Sequence, residues 1–213
     1  MSGLVYTLIG DGSSDRLLVH PIRWAVASLG VRIEQGQWAD LSVADPRPAS
    51  LVERARTALR MYPAELLFVH RDAEKEPFDK RIAEIRTALA SMTTRSVAVV
   101  PVRMTEAWLL HDVQAIRRAS NNPNGRVALS IPSLPDVKNA PDPKSILENA
   151  LLDASEFTGR RRDRRRAELP RMRARTAELI VDFSPLKTLP AFRAFIDELA
   201  SALVELGHLS SDG

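Results

Sequence analysis

Carboxylate side chains follow three separate apolar segments of the sequence, and they are the residues best suited to do chemistry. Asp11, Asp72 and Glu106 each lie a few residues beyond such a segment. Carboxylates held close together repel one another unless a cation lies between them, and their hard oxygen atoms suit Mg²⁺ or Mn²⁺. A bound ion of this kind polarises a phosphoryl oxygen or generates hydroxide for attack. The pattern predicts a metal site for phosphoryl chemistry, with capping of the following helices as the alternative role of these acids.

Other polar residues lie close in sequence to these carboxylates. The additional candidates are Asp15, His70, Arg71, Glu74 and Arg103. We predict Asp15 and Glu74 as further metal ligands or as a base, and His70 as a catalytic residue that orients water or completes the metal site. The alternative for His70 is a packed, hydrogen-bonded histidine at a strand end. Arg71 and Arg103 are predicted to bind phosphate, with neutralisation of the carboxylates as their alternative role.

The elements that must position these residues alternate between strands and helices. Several predicted strands are continuous apolar runs, which are typical of strands buried on both faces of a parallel sheet. The predicted fold class is therefore α/β, an open, mainly parallel sheet with helices on both faces. Ligands bind such sheets at the carboxyl ends of the strands, where the candidate acids lie. The predicted strands are residues 4–9, 31–38, 64–70 and 96–102. The predicted helices between them cover residues 17–29, a segment that begins with the capping box Ser50–Glu53, and residues 77–90.

The second half of the sequence differs in character from the first. We predict a core over residues 1–118 and an extension over residues 119–213 that packs on the same domain. Residues 119–144 are rich in Pro, Asn and Asp, which indicates a long ordered loop or an insertion. Helical periodicity returns at residues 144–154 and again after Pro190. The extension is therefore predicted to be helical.

Positive charge is concentrated in this extension. The chain carries a formal net charge of +3, yet residues 160–178 contain nine arginines and only three acidic residues. The run has no interleaved aromatic residues, so it is predicted to contact nucleic-acid phosphates without reading sequence. The alternatives are a solvated helix face or a surface that pairs with an acidic protein. The predicted nucleic-acid-binding residues are Arg160, Arg161, Arg162, Arg164, Arg165 and Arg166.

Composition excludes several classes of protein. The 213 residues are 45% hydrophobic and contain no cysteine, which excludes a disulfide scaffold, a cysteine-ligated zinc site and a cysteine nucleophile. No apolar run reaches the roughly 18–20 residues that span a bilayer, and the N-terminus lacks the basic region of a signal peptide. We therefore predict a cytoplasmic protein without a membrane partner. The glycines around Asp11 match neither a dinucleotide-binding fingerprint nor a P-loop.

Five motifs together resemble the DUF4276 family, which is grouped with TOPRIM-like domains. They are GDGSSD, LLFVHRDAE, VVPVRMTEAWLL, DPK and FSPLKTLPAF, and the resemblance covers nearly the whole chain. It implies a TOPRIM/Rossmann-like fold and a Mg²⁺-dependent nuclease or other phosphodiester-processing enzyme. Family members often lie beside ATPases in apparent phage-defence loci, so the resemblance also implies an ATPase partner. The alternative is a catalytically inactive adaptor subunit that binds nucleic acid or protein.

The resemblance also implies roles for individual residues. TOPRIM sites have a glutamate after the first strand and a later D-x-D motif, which together bind Mg²⁺. Asp11 stands at the position of that glutamate, and Asp15 matches a following acid. The D-x-D motif corresponds either to His70–Asp72, with histidine in place of the first acid, or to Asp72–Glu74. Glu106 matches an acid typical of the DUF4276 subgroup.

Overall fold

The centre of the molecule is a four-stranded parallel sheet. The computed structural model describes residues 3–73, 76–102 and 104–210. The strands are β1 (Leu4–Ile9), β2 (Ile33–Trp38), β3 (Leu66–His70) and β4 (Arg95–Val99). They lie in the order β2-β1-β3-β4, and every neighbouring pair is parallel. The predicted α/β fold with an open parallel sheet is therefore confirmed.

Helices connect the strands and form the region after β4. The helices are α1 (Val19–Ser28), α2 (Leu51–Met61), α3 (Phe78–Leu89), α4 (Val113–Ala119), α5 (Pro143–Ala154), α6 (Gly159–Arg165), α7 (Leu169–Leu179) and α8 (Pro190–Glu205). The predicted capping box begins α2, where Ser50 and Glu53 each accept a hydrogen bond from the other's backbone N–H. The predicted helical character of the C-terminal region is confirmed.

The two faces of the sheet pack against different sets of helices. Along β3, Leu66 and Phe68 belong to a large hydrophobic cluster that includes side chains of α1, α5, α7 and α8. Leu67 and Val69 point to the other face, where the smaller cluster contains side chains of α2 and α3. Because successive strand residues alternate between faces, a strand covered on both sides must be apolar at every position. This explains the continuous apolar runs in the sequence.

Several predicted elements differ from the structure at their ends. Strand β2 begins at Ile33 rather than at residue 31, and β3 begins at Leu66 rather than at residue 64. The fourth strand ends at Val99 rather than at residue 102, because Pro101 has no backbone N–H to donate to the ladder. The first predicted helix begins instead with a 3-10 turn over Ser13–Leu18, which continues into α1. This turn places Asp15 directly beyond the carboxyl end of β1.

The described helices differ from membrane-spanning helices in length and polarity. Within residues 3–73, 76–102 and 104–210, no helix is both long and apolar enough to cross a bilayer.

Candidate active site

His70, the last residue of β3, lies at the centre of the candidate site and is only 1% exposed. Its Nδ1 donates a hydrogen bond to the Val99 carbonyl oxygen at 2.8 Å, so Nδ1 carries a proton. On the other side of the ring, Nε2 lies 3.3 Å from Asp72 Oδ1 and 3.7 Å from Asp15 Oδ1. The hydroxyl oxygen of Thr105 is also 3.3 Å from Nε2. One buried nitrogen therefore faces two carboxylates and a hydroxyl group.

These neighbours change the protonation of His70. Burial lowers the pKa of the imidazole. The nearby carboxylates of Asp72 and Asp15 raise it by a larger amount, so the net pKa lies above the ordinary value of 6.5. A positive charge on the ring offsets the negative charges of the two carboxylates. His70 thus acts as a built-in counter-ion at the carboxyl edge of the sheet.

Asp15 is held in place by the loop that follows β1. The Gly12 backbone N–H donates to Asp15 Oδ2 at 2.8 Å, and the Ser14 hydroxyl donates to Oδ1 at 3.3 Å. The carboxylate packs so closely on Gly10 that a Cβ atom there would lie 2.5 Å from Asp15 Oδ2. Glycine at position 10 is therefore required for this close approach. The loop fixes Asp15 in a buried position facing His70.

Asp72 is less constrained than Asp15. Its side chain is 36% exposed, so one part reaches solvent. Its Oδ1 atom is nevertheless buried and makes no hydrogen bond of good geometry within the described residues. A buried acceptor without a hydrogen bond is unusual in a folded protein. Within the described residues, the ion pair with His70 at 3.3 Å is therefore the one polar contact of this oxygen.

Asp11 is turned towards arginines rather than towards His70. Its carboxylate lies 2.6 Å from Arg54 Nη1 and 3.6 Å from Arg71 Nε. Arg54 also donates to the Gly10 carbonyl oxygen. Since the Asp11 side chain is 48% exposed, these ion pairs are screened by solvent. Asp11 lies at the predicted edge of the sheet but is already neutralised there.

Glu106 is buried in the 3-10 turn that follows β4 and is paired with a residue of the C-terminal region. Its Oε1 accepts a hydrogen bond at 2.7 Å from Nη1 of Arg173 in α7, which also lies 3.5 Å from Glu148 of α5. Burial raises the pKa of Glu106, and the nearby Asp72 charge adds to this, whereas Arg173 opposes it. Helices α5 and α7 therefore position this third acid.

The predicted site residues are thus only partly brought together. Asp15, His70 and Asp72 meet, whereas Asp11 and Glu106 each pair with arginine. Among the described residues, no group of three or more His, Asp or Glu side chains is placed to hold one metal ion. The predicted Mg²⁺ or Mn²⁺ therefore stays a prediction. Glu74 and Arg103, predicted as a metal ligand and a phosphate ligand, lie outside the described residues.

Three residues of the site were not anticipated. They are Thr105, Arg54 and Arg173. Arg173 belongs to the arginine-rich stretch, but nothing in its spacing shows that it turns inward. Arg54 lies on α2, for which the sequence predicts only the capping box that begins it.

Comparisons of the chain with protein-family models, with curated proteins and with solved structures gave no match. The resemblance to the DUF4276 family therefore rests on the motifs quoted above and stays a prediction.

The run from Arg160 to Arg166 divides into two groups. Arg165 is buried and donates to the Ser120 carbonyl oxygen at 2.7 Å. Arg162 pairs with Asp153 at 2.8 Å, and Arg166 lies 3.8 Å from an Asp163 oxygen. The remaining arginines are exposed and have no ion pair with a described residue. These are Arg160, Arg161 and Arg164. Only this second group is available to a polyanion without loss of an internal contact.

The elevated pKa of His70 predicts a specific pH dependence. A base whose pKa is higher in the folded than in the unfolded state stabilises the fold below its unfolded pKa, near 6.5. That stability is lost as the pH rises through the folded pKa. In EDTA, the free energy of unfolding should therefore fall as the pH rises above about 6.5, and the change should be much smaller in His70→Asn.

NMR titration of the imidazoles checks this prediction directly. His70 should titrate above its ordinary value, whereas His20 and His111, whose pKa values burial lowers, should titrate below it. If His70 titrated at the same pH as His20 and His111, the carboxylates would not be stabilising the protonated form of its ring.

Proposed function

We propose that the protein is a Mg²⁺-dependent enzyme that acts on phosphodiester bonds of nucleic acid at the carboxyl edge of its sheet. One observation carries the proposal. The carboxylates of Asp15 and Asp72, which follow two different strands, meet at the buried His70, and one Asp72 oxygen is buried without a hydrogen bond. Mg²⁺ is commonly bound by one or two carboxylates, with water and substrate phosphate as its other ligands. The pair Asp15 and Asp72 fits that requirement.

Each residue of the site has a role that follows from its contacts. Asp72, whose buried Oδ1 has no described partner besides His70 and whose side chain is partly exposed, would hold the ion together with Asp15. When bound, Mg²⁺ supplies polarisation of a phosphoryl oxygen and activation of water. His70 orients both carboxylates and holds the proton that balances them when no metal is present. Arg71, whose side chain is 38% exposed, would bind the phosphate and stabilise negative charge that develops on it.

A second function is favoured by a different observation. Arginines neutralise two of the five acids that were predicted to bind metal, because Arg54 and Arg71 contact Asp11 and Arg173 contacts Glu106. Such a site is expected in a catalytically inactive adaptor. The exposed arginines of α6 would then bind nucleic acid or a protein partner such as an ATPase.

Cleavage assays distinguish the two functions. The purified full chain is incubated with end-labelled single- and double-stranded DNA and RNA, in Mg²⁺ or in EDTA. We expect cleavage of at least one substrate in Mg²⁺ and none in EDTA. Binding of nucleic acid without cleavage under any of these conditions would contradict the enzyme and favour the adaptor.

A further inference from the structure

A second cavity lies beside the candidate active site, at the carboxyl ends of β1 and β2. Its volume is about 470 Å³, and the Gly10–Ser13 loop forms one wall. The same loop holds Asp15 in the active site through the Gly12 N–H. Whatever binds in the cavity therefore contacts the loop that holds Asp15 in place.

Arginines from three different parts of the chain line this cavity. Arg16 comes from the 3-10 turn after β1, Arg47 from the loop before α2, and Arg54 from α2 itself. Arg54 forms an ion pair with Asp11 and donates a hydrogen bond to the Gly10 carbonyl oxygen. Arg16 and Arg47 are exposed and make no ion pair or hydrogen bond through their side chains to a described residue. Two cations on one cavity are thus available to an anion.

The acids on the same cavity do not neutralise these two arginines. Asp11 is paired with Arg54. Asp40 caps the turn that follows β2, where it accepts hydrogen bonds from the Ser42 backbone N–H at 3.0 Å and from the Ser42 hydroxyl at 2.6 Å. Both carboxylates therefore have partners of their own.

One side of the cavity is largely apolar. Trp38, Leu41 and Pro48 form this side of the cavity. The indole N–H of Trp38 is buried without a hydrogen-bond partner in the described part of the chain. Small-molecule sites typically enclose about 300–1,000 Å³ and combine apolar walls with a few convergent polar groups. Cationic groups opposite an apolar wall are suited to a nucleotide, which carries a phosphate at one end and a base at the other.

We propose that this cavity binds a nucleotide of the substrate strand next to the bond that is cleaved, with its phosphate held by Arg16 and Arg47. The inference deepens the proposed function and rests on it for the identity of the strand as substrate. It places phosphate contacts beside the active site, in addition to those predicted for the arginines of α6.

Binding of a fluorescein-labelled dT12 oligonucleotide, measured by anisotropy in EDTA over a range of salt concentrations, tests this. Each phosphate contact of a single strand contributes about 0.7 to the slope of log affinity against log salt. The double variant Arg16→Ala/Arg47→Ala should therefore bind more weakly, with a slope smaller by about 1.4. Arg126→Ala/Arg193→Ala is the matched control, since both of its arginines are exposed, and its slope should not change.

The outcomes separate this inference from the proposed function, because no cleavage occurs in EDTA. A slope equal to that of the unmodified protein, or no binding by the unmodified protein, would overturn the inference even if the enzyme cleaves in Mg²⁺. If the double variant shows the smaller salt-dependence slope but the unmodified protein cleaves no substrate, the result would support nucleotide binding in the cavity and contradict the proposed enzyme. If the double variant does not fold, Arg47→Ala alone should lower the slope by about 0.7.

Discussion

Asp72→Asn should reduce Mg²⁺-dependent cleavage by about 100-fold or more. Residues that merely orient metal ligands cost about 10–100-fold in affinity or activity when they are replaced, and Asp72 is proposed as a ligand itself. The variant keeps the size of the side chain and removes only the charge that would hold the ion and pair with His70. The matched control is Asp197→Asn, because Asp197 is an exposed carboxylate on α8 that forms no ion pair with a described residue.

The same variants have a second readout that does not depend on activity. A ligand that binds only the folded state stabilises it, by about 2.7 kcal/mol when its concentration is 100 times the Kd. Melting curves in EDTA and in Mg²⁺ should show this gain for the unmodified protein and for Asp197→Asn, but not for Asp72→Asn. If Mg²⁺ stabilised all three proteins equally, Asp72 would not be a ligand of the ion.

Arg173→Ala should lower the free energy of unfolding by about 3 kcal/mol or more. Arg173 and Glu106 form an ion pair in which the side chains are 11% and 6% exposed, and removal of one partner from a buried pair leaves the other charge without compensation. Arg171→Ala, in an exposed residue two positions earlier on the same helix, should change the free energy by less than about 0.5 kcal/mol. Equilibrium denaturation with urea measures both values.

The decrease in the free energy of unfolding that Arg173→Ala causes should depend on pH. Burial already raises the pKa of Glu106, and removal of Arg173 would raise it further. An acid with a raised folded pKa destabilises the fold increasingly as the pH rises through that pKa, so the loss should be larger at pH 8 than at pH 5. Glu106→Gln in the Arg173→Ala background should restore part of the stability. No restoration would show that Arg173 acts through packing rather than through its charge.

The sheet could be predicted well from the sequence because each buried strand is marked locally. A strand covered on both faces needs apolar residues at every position, as in β1 and β3, and the turn signals on either side mark its ends. Because parallel strands bring their carboxyl ends to one edge, the sequence predicts that Asp11, Asp72 and Glu106 converge there. The structure instead brings Asp15, His70 and Asp72 together at that edge. The strand ends are less well predicted: β2 and β3 each begin two residues later than predicted, and β4 ends before the apolar run that continues through Pro101.

The partners of the charged residues could not be predicted in the same way. Arg54 reaches Asp11 across 43 positions and Arg173 reaches Glu106 across 67. Such contacts depend on how helices pack on the finished sheet, and they leave no periodic signal along the chain. For the same reason the run from Arg160 to Arg166 looked uniform, although Arg165 is buried and hydrogen-bonded while its neighbours Arg161 and Arg164 are exposed.

Anomalous diffraction from crystals of the unmodified protein grown with Mn²⁺ tests the central claim most directly. We expect a peak within bonding distance of an Asp72 carboxylate oxygen, on the side where Asp15 and His70 meet, and no such peak in crystals of Asp72→Asn. A peak bonded only to other carboxylates, or no peak in the unmodified protein while His70 still bridges Asp15 and Asp72, would contradict a metal-dependent active site at this edge of the sheet.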